Sequence, residues 1–350
     1  MEPQNTKNNK LRFLIVGLGS MGKRRIRNLF VNDEKNITGF DIRPDRNAEA
    51  KEKYGIKVVE NFKDLSPQDF DVMIISTSPE AHGDYIRFAL KHKKHFFVEH
   101  PTNDDGYQEI FSAKDVTSLE GENSTIVTAP SCTLRFYQPV KMIKEILDKK
   151  EVGKILAFQY HAGQYLPDWH TYEDYREVYF SKKSTSACRE IFPFELIWLS
   201  WLFNSKVKEV RGSISKVSDL EMDADDIILA NVKYHNGILG NIIIDAISRK
   251  PFRTLRILGS DGVLDWERAD SVIKLYNIAS KTTKVIPVPE GHPETGYINE
   301  EEMYNNEIKA FLDAINGKKK YPHNFTDSIH LLKTLFTLEK DSRTSRRILL

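Results

Sequence analysis

Six residues, Gly17-Leu18-Gly19-Ser20-Met21-Gly22, follow directly on the apolar run Phe13-Leu14-Ile15-Val16 and lead into a segment whose Ile26, Leu29 and Phe30 form an apolar stripe. Strand, glycine-rich turn and helix in that order constrain the chain more than any other feature, because each glycine has its own steric task. Gly17 makes the tight turn, Gly19 lets a pyrophosphate approach the backbone, and Gly22 lets the helix pack closely on the strand. The N–H groups left free at the helix start, Ser20 and Met21 among them, favour an anion together with the positive end of the helix dipole. Asp41 lies nineteen positions after Gly22, at the end of a second β-rich run, where a carboxylate accepts both ribose hydroxyls of a dinucleotide. That placement favours NAD. Arg43 and Arg46 follow at once and could pair with a 2′-phosphate or simply be solvated, so the expected cofactor is NAD or NADP, with NAD favoured.

Short β-rich runs continue to alternate with helical ones from Leu11 to about Thr128, the signature of parallel strands joined by crossover helices. Strands are expected at Phe13–Val16, Ile37–Asp41, Val72–Ser76, His95–Val98 and Ser124–Thr128. Over Glu80–Lys93, Tyr85, Ile86, Ala89 and Leu90 recur at helical spacing. Beyond Pro130 the pattern changes to one helix near Pro139–Lys149 followed by antiparallel character. Two β-rich runs within Asp226–Ile247 flank His235-Asn236-Gly237, and Asn-Gly supplies the positive φ values of a type I′ hairpin turn. Helices are expected at Asn299–Asn316 and Thr326–Arg347. The fold class that follows is α/β. An N-terminal Rossmann domain with a parallel doubly wound sheet spans 11–129, and a C-terminal α+β domain with an open, mostly antiparallel sheet spans 130–350. Residues 1–10 are polar and read as a loose leader.

Composition removes several function classes. A chain of 350 residues exceeds what one core usually supports, in keeping with two domains. With 51 basic and 50 acidic side chains, it carries no global field to hold a nucleic acid or an acidic membrane surface. The greasiest stretch, Ile191–Phe203, is interrupted by Pro193, Glu195 and Ser200 and falls short of the ~20 residues of a membrane span, so a buried helix is expected. Cys132 and Cys188 are too few for a disulfide framework or a repeated metal-ligand spacing. No metal is expected, and the expected setting is the cytoplasm.

Ser76-Thr77-Ser78-Pro79-Glu80-Ala81-His82, followed by Val98-Glu99-His100-Pro101, resembles the glucose-fructose oxidoreductase, inositol dehydrogenase and rhizopine-catabolism family, Gfo/Idh/MocA. Leu134-Arg135-Phe136, Val152-Gly153-Lys154, Gly259-Ser260-Asp261-Gly262 and the set Tyr304, Glu307 and Phe311 extend the resemblance over nearly the whole chain. It implies hydride transfer between a nicotinamide cofactor and a hydroxyl or keto group of a sugar or nucleotide-sugar-like substrate. It also implies dimers or tetramers built on the second sheet, and places Ser76, Thr77, His82 and Glu99 among the cofactor contacts. Members commonly carry Glu-Lys-Pro after the fourth strand and an Asp-x-x-x-His pair on a later helix. This chain departs at both places: His100 stands at the lysine position, Glu190 at the aspartate and Phe194 at the histidine.

The group that removes a hydroxyl proton is therefore not the usual lysine or histidine. His100, on the carboxyl edge of the sheet, is the leading candidate for general base, or else it only hydrogen-bonds the cofactor or Glu99. His82 is as well read as a packing residue as a cofactor contact. The run Gln164–Arg176 is rich in aromatic and hydrogen-bonding groups: Tyr165, Asp168, Trp169 and Tyr175 suit a sugar ring, Arg176 a phosphate or carboxylate, and His170 is an alternative base. That run could equally be a structural loop. Glu190 is the expected hydrogen-bond partner of substrate or of a histidine, and Arg135 either holds an anionic substrate group, caps a helix or pairs with Glu190. A second function stays open because the lysine and histidine are both replaced: a non-catalytic protein that senses dinucleotide or sugar.

Overall fold

The computed structural model describes residues 10–100, 102–113, 126–169, 173–294 and 299–344. The chain divides into two compact units, Met1–Ser131 with Tyr304–Phe325, and Cys132–Met303 with Thr326–Leu350.

The first unit holds strands β1 (Phe13–Val16), β2 (Ile37–Phe40), β3 (Lys57–Val58), β4 (Val72–Ile75), β5 (His95–Val98) and β6 (Thr128–Pro130). They lie in the order β3-β2-β1-β4-β5-β6, all parallel. Helices α1 (Ser20–Val31), α2 (Pro44–Tyr54), α3 (His82–Lys91) and α4 (Tyr107–Ser112) connect them. Every residue of β1 and β4 is buried, as expected when helices cover both faces of a parallel sheet. The order reverses between β1 and β4, and at such a switch point the carboxyl ends of the strands open a ligand crevice.

The second unit contains α5 (Gln138–Asp148), α6 (Ala187–Leu202) and eight strands: β7 (Ile155–Gly163), β8 (Val207–Ser215), β9 (Ile227–Tyr234), β10 (Leu239–Asp245), β11 (Phe252–Gly259), β12 (Gly262–Glu267), β13 (Val272–Asn277) and β14 (Thr282–Pro287). Their order is β14-β13-β12-β11-β7-β10-β9-β8, with β7 and β10 parallel and the other neighbours antiparallel. Burial alternates along β9 and β12, so one face packs on helices and the other is open. Two further helices, α7 (Glu301–Ile315) and α8 (Phe325–Thr344), close the chain.

Several expectations need adjustment. The last parallel strand begins at Thr128 and ends on Pro130, a residue with no N–H to spare and so suited to a strand end. Strand β3, two residues long, is too short to show any period. The β9–β10 turn is not type I′: Gly237 has φ +90°, but Asn236 is not in the left-handed region. Tyr234 N–H donates to the Ile238 carbonyl, which leaves a three-residue loop with glycine at its left-handed position. Finally, Tyr304–Phe325 belongs to the first unit, because Ile308, Phe311 and Leu312 of α7 pack into its core with Phe97 and Ala129.

Candidate functional site

The glycine loop is shaped by contacts no side chain could survive. A Cβ on Gly22 would lie 1.8 Å from the Gly17 carbonyl oxygen, and one on Gly17, at φ +87°, would lie 2.4 Å from that of Ser76. A Cβ on Gly19 meets only the guanidinium of Arg46, at 3.2 Å. Gly19 caps α1 without a side-chain hydrogen bond, and the first turn has no acidic residue, so these N–H donors and this open backbone fit a pyrophosphate. Asp41 is 5% exposed and firmly oriented: its Oδ2 accepts from Leu18 N–H at 2.7 Å and its Oδ1 from Arg43 N–H at 2.9 Å, while Asn47 bridges its backbone. The Arg43 side chain turns away to Asp45 on the surface, whereas Arg46 stands 3.8 Å from Asp41. Of the two arginines, Arg46 is the one placed over the loop.

At the carboxyl edge the predicted contacts divide by role. Ser76 donates its hydroxyl to Glu99 at 3.3 Å, and the Thr77 hydroxyl donates to the Ser78 carbonyl. His82 faces inward: its Nε2 meets the Thr77 carbonyl at 3.1 Å, and burial holds its pKa down at about 4, so it is a neutral donor that pins the Thr77 turn. Glu99 is likewise held by the protein, with both oxygens bound by Arg25 at 2.6 and 2.9 Å. His100 is 7% exposed, and burial, reinforced by His323 and His82, pushes it down to about 3. It is a neutral imidazole at pH 7.

In the second unit, His170 lies outside the described residues. Its neighbours are tied down. The guanidinium of Arg249 lies 3.7 Å over the Tyr165 ring, Trp169 packs edge-on to Phe180 at 5.0 Å, and Asp168 is exposed. The Tyr175 hydroxyl accepts from Glu221 N–H, and Arg176 is occupied by Asp174 and Glu221 at the surface. The described part of this segment is thus bonded largely to the rest of its own unit, and Arg176 is engaged by Asp174 and Glu221 rather than presented as a clamp. Arg135 stacks 5.0 Å over Trp201, and Glu190 sits half-buried in the first turn of α6. Cys132 and Cys188 are free and buried, and burial pushes the Cys188 thiol well up.

The partners in two buried polar networks escaped the sequence reading. Arg25 and Glu307 form a buried ion pair at 3.0 Å in the first unit. In the second, Glu195 on α6 is 0% exposed and accepts from Tyr160, Trp198 and Arg253 at 2.6, 2.5 and 2.6 Å. One signal was available: Arg25 lies three residues after Gly22 and four before Leu29, on the helix face that meets the sheet. A shallow hollow of about 410 Å³ on the open face of the second sheet, lined by His161, Arg256, Asp265 and Lys274, contains none of the predicted site residues. Among the described residues no group of histidine, cysteine and carboxylate side chains suits a metal, and no helix is long and apolar enough to cross a membrane.

With this geometry in hand, residues 11–128 match an oxidoreductase family with an NAD-binding Rossmann fold, GFO/IDH/MocA, and residues 140–265 match the GFO/IDH/MocA C-terminal domain. An inositol 2-dehydrogenase of Salmonella typhimurium is 27% identical over 239 residues, 66% of this chain and 65% of that protein. The match thus spans less than two thirds of that relative's length. A myo-inositol 2-dehydrogenase of Thermotoga maritima is 23% identical over 326 residues, 88% of this chain and 89% of its own. An oxidoreductase from Agrobacterium radiobacter, solved with NAD+, L-tartaric acid and magnesium, shares the fold with a TM-score of 0.82 at 13% identity, covering 96% of this chain and 97% of that one.

Proposed function

The chain belongs to the GFO/IDH/MocA family, and on that premise we propose that it is a nicotinamide-dependent oxidoreductase acting on a hydroxyl or keto group of a sugar-like, polyol substrate. The observation that carries the reading is the cradle at Gly17–Gly22, open at Gly19 and set on the carboxyl edge of a parallel sheet beside the oriented Asp41. Bound there, the cofactor supplies the hydride acceptor or donor. The N–H groups of α1 would hold its phosphates and Asp41 its ribose, and Arg46, beside Asp41, could pair with a 2′-phosphate. The names of the inositol dehydrogenase relatives support a polyol as substrate.

His100 binds the reacting hydroxyl as a neutral imidazole in this reading. Taking up a proton at pH 7 on a group held at about 3 costs about 5 kcal/mol, so His100 orients the hydroxyl better than it deprotonates it. That same suppressed basicity, with Phe194 at the family's histidine position, favours the second reading of a dinucleotide-sensing protein without turnover. The open sheet face, with Leu229, Leu239, Leu258 and Val285 exposed, supports a homodimer or homotetramer, and the setting we propose is the cytoplasm.

Titration with NADH, followed by nicotinamide fluorescence, tests the shared premise, and lack of saturable binding sinks both readings. Incubation of NAD+ or NADP+ with myo-inositol and a panel of polyols and nucleotide sugars separates them, since only the enzyme reduces the cofactor. His100→Ala then lowers turnover at least about 100-fold while NADH affinity holds.

A further inference from the structure

Arg25 lies on the second turn of α1 and is 0% exposed. Its Nε and Nη2 donate to the two oxygens of Glu99 at 2.6 and 2.9 Å, and Nη2 stands 3.0 Å from Oε2 of Glu307 on α7. The guanidinium lies 4.5 Å over the ring of Phe97. Both carboxylates carry the connection onward: Glu99 accepts from the Ser76 hydroxyl at 3.3 Å, and Glu307 from the hydroxyls of Ser131 at 3.1 Å and Tyr321 at 3.3 Å. Ser76, Glu99 and Ser131 are the first residues beyond β4, β5 and β6, three neighbouring strands of the sheet. One buried cation therefore joins the helix of the glycine loop to the carboxyl ends of three strands, and His100 is the next residue after the one it grips.

Stability does not explain such a cluster. Burying charged groups carries a desolvation cost that their attraction roughly cancels, and well-packed apolar residues would serve the fold as well or better. What an apolar trio lacks is direction: a planar guanidinium bound at two edges sets where both carboxylates lie, and an ammonium cannot reproduce that geometry. We propose that Arg25 is a positioning residue that fixes the carboxyl edge of the sheet, and with it His100, relative to the dinucleotide loop. This rests on the cofactor reading of that loop, but the residue acts through Glu99 rather than by touching cofactor or substrate.

Arg25→Lys keeps the charge and removes the fork. The histidine ring resonances of 13C-labelled protein report on His100, whose signal is identified by its loss in His100→Gln and whose ionisable neighbours are His82 and His323. In the parent chain that signal should stay at its neutral position from about pH 8 to about pH 5. In Arg25→Lys we expect it to be displaced and to titrate inside that range as the loosened edge admits water, with NADH affinity at least about tenfold weaker in protein that circular dichroism shows to be folded. If Arg25→Lys melts lower yet leaves the His100 signal and NADH affinity as in the parent, Arg25 is merely structural and the proposal is overturned. Should Arg25→Lys not fold, Glu99→Gln keeps the size of the side chain and the Arg25–Glu307 pair, and the same two readouts decide. A parent chain that fails to bind NADH sinks the cofactor reading alone, because the His100 titration needs no cofactor.

Discussion

Gly19 and Gly22 belong to one loop but should respond differently to a single added methyl group. In Gly22→Ala the new Cβ starts 1.8 Å from the Gly17 carbonyl oxygen, about 1.6 Å inside ordinary contact at 3.4 Å, and the obstacle is backbone. Helix α1 must back away from β1, against a core that includes Ile15, Ile26 and Leu29. Overpacking of this severity costs about 3 kcal/mol, which for a unit of this size lowers Tm by about 6–12 °C. In Gly19→Ala the Cβ meets only the end of the Arg46 side chain at 3.2 Å, and Gly19 has an ordinary φ of −70°. Losing a glycine there restricts the unfolded chain, so Tm should hold or rise slightly. Yet that methyl group stands where phosphate must approach the backbone, and we expect NADH affinity to fall at least about tenfold, or about 1.4 kcal/mol. Thermal melts and NADH fluorescence titrations of the two variants make the comparison. A Gly19→Ala protein with parental Tm and parental NADH affinity refutes the assignment of this loop as the phosphate cradle.

Acid should destabilise the first unit through its histidines. His82 and His100 have folded pKa values of about 4 and about 3, below the unfolded value near 6.5, so the unfolded chain binds the extra protons. The stability they contribute is complete above about pH 6.5 and declines toward those folded values, by about 2 kcal/mol per histidine at pH 5. Melting curves between about pH 7 and pH 5 should therefore flatten in His82→Gln, and parallel curves would contradict its burial as a neutral ring. Arg46→Ala should weaken NADPH binding at least about tenfold, while Arg43→Ala, whose guanidinium is already held by Asp45, should leave it unchanged in the same titration. Glu195→Leu strands the Arg253 cation among Tyr160 and Trp198 and should cost about 3–5 kcal/mol in chemical denaturation, whereas a surface-like loss below about 1 kcal/mol would show that the network is not closed.

Much of this protein is local and so can be read residue by residue. The turn at Gly17–Gly22 follows from steric tasks confined to six positions, and the buried runs of β1 and β4 announce a sheet covered on both faces. The replacements at His100 and Phe194 are equally plain in one dimension. Periodicity reports which side of an element faces a core, but not which group meets it there. Hence the resemblance placed Glu99 among the cofactor contacts, whereas tertiary structure gives both its oxygens to Arg25, 74 residues earlier. It also left Arg43 and Arg46 equal, until the fold turned one to Asp45 and the other toward Asp41. The same limit applies to chemistry. Histidine at position 100 suggests a base near neutrality, but its proton affinity depends on how much water the packed chain removes, and burial beside His82 and His323 lowers it far below that range. Even the division into units is a tertiary outcome, since Tyr304–Phe325 joins a core made by residues roughly two to three hundred positions earlier because Ile308 and Phe311 find their apolar partners there.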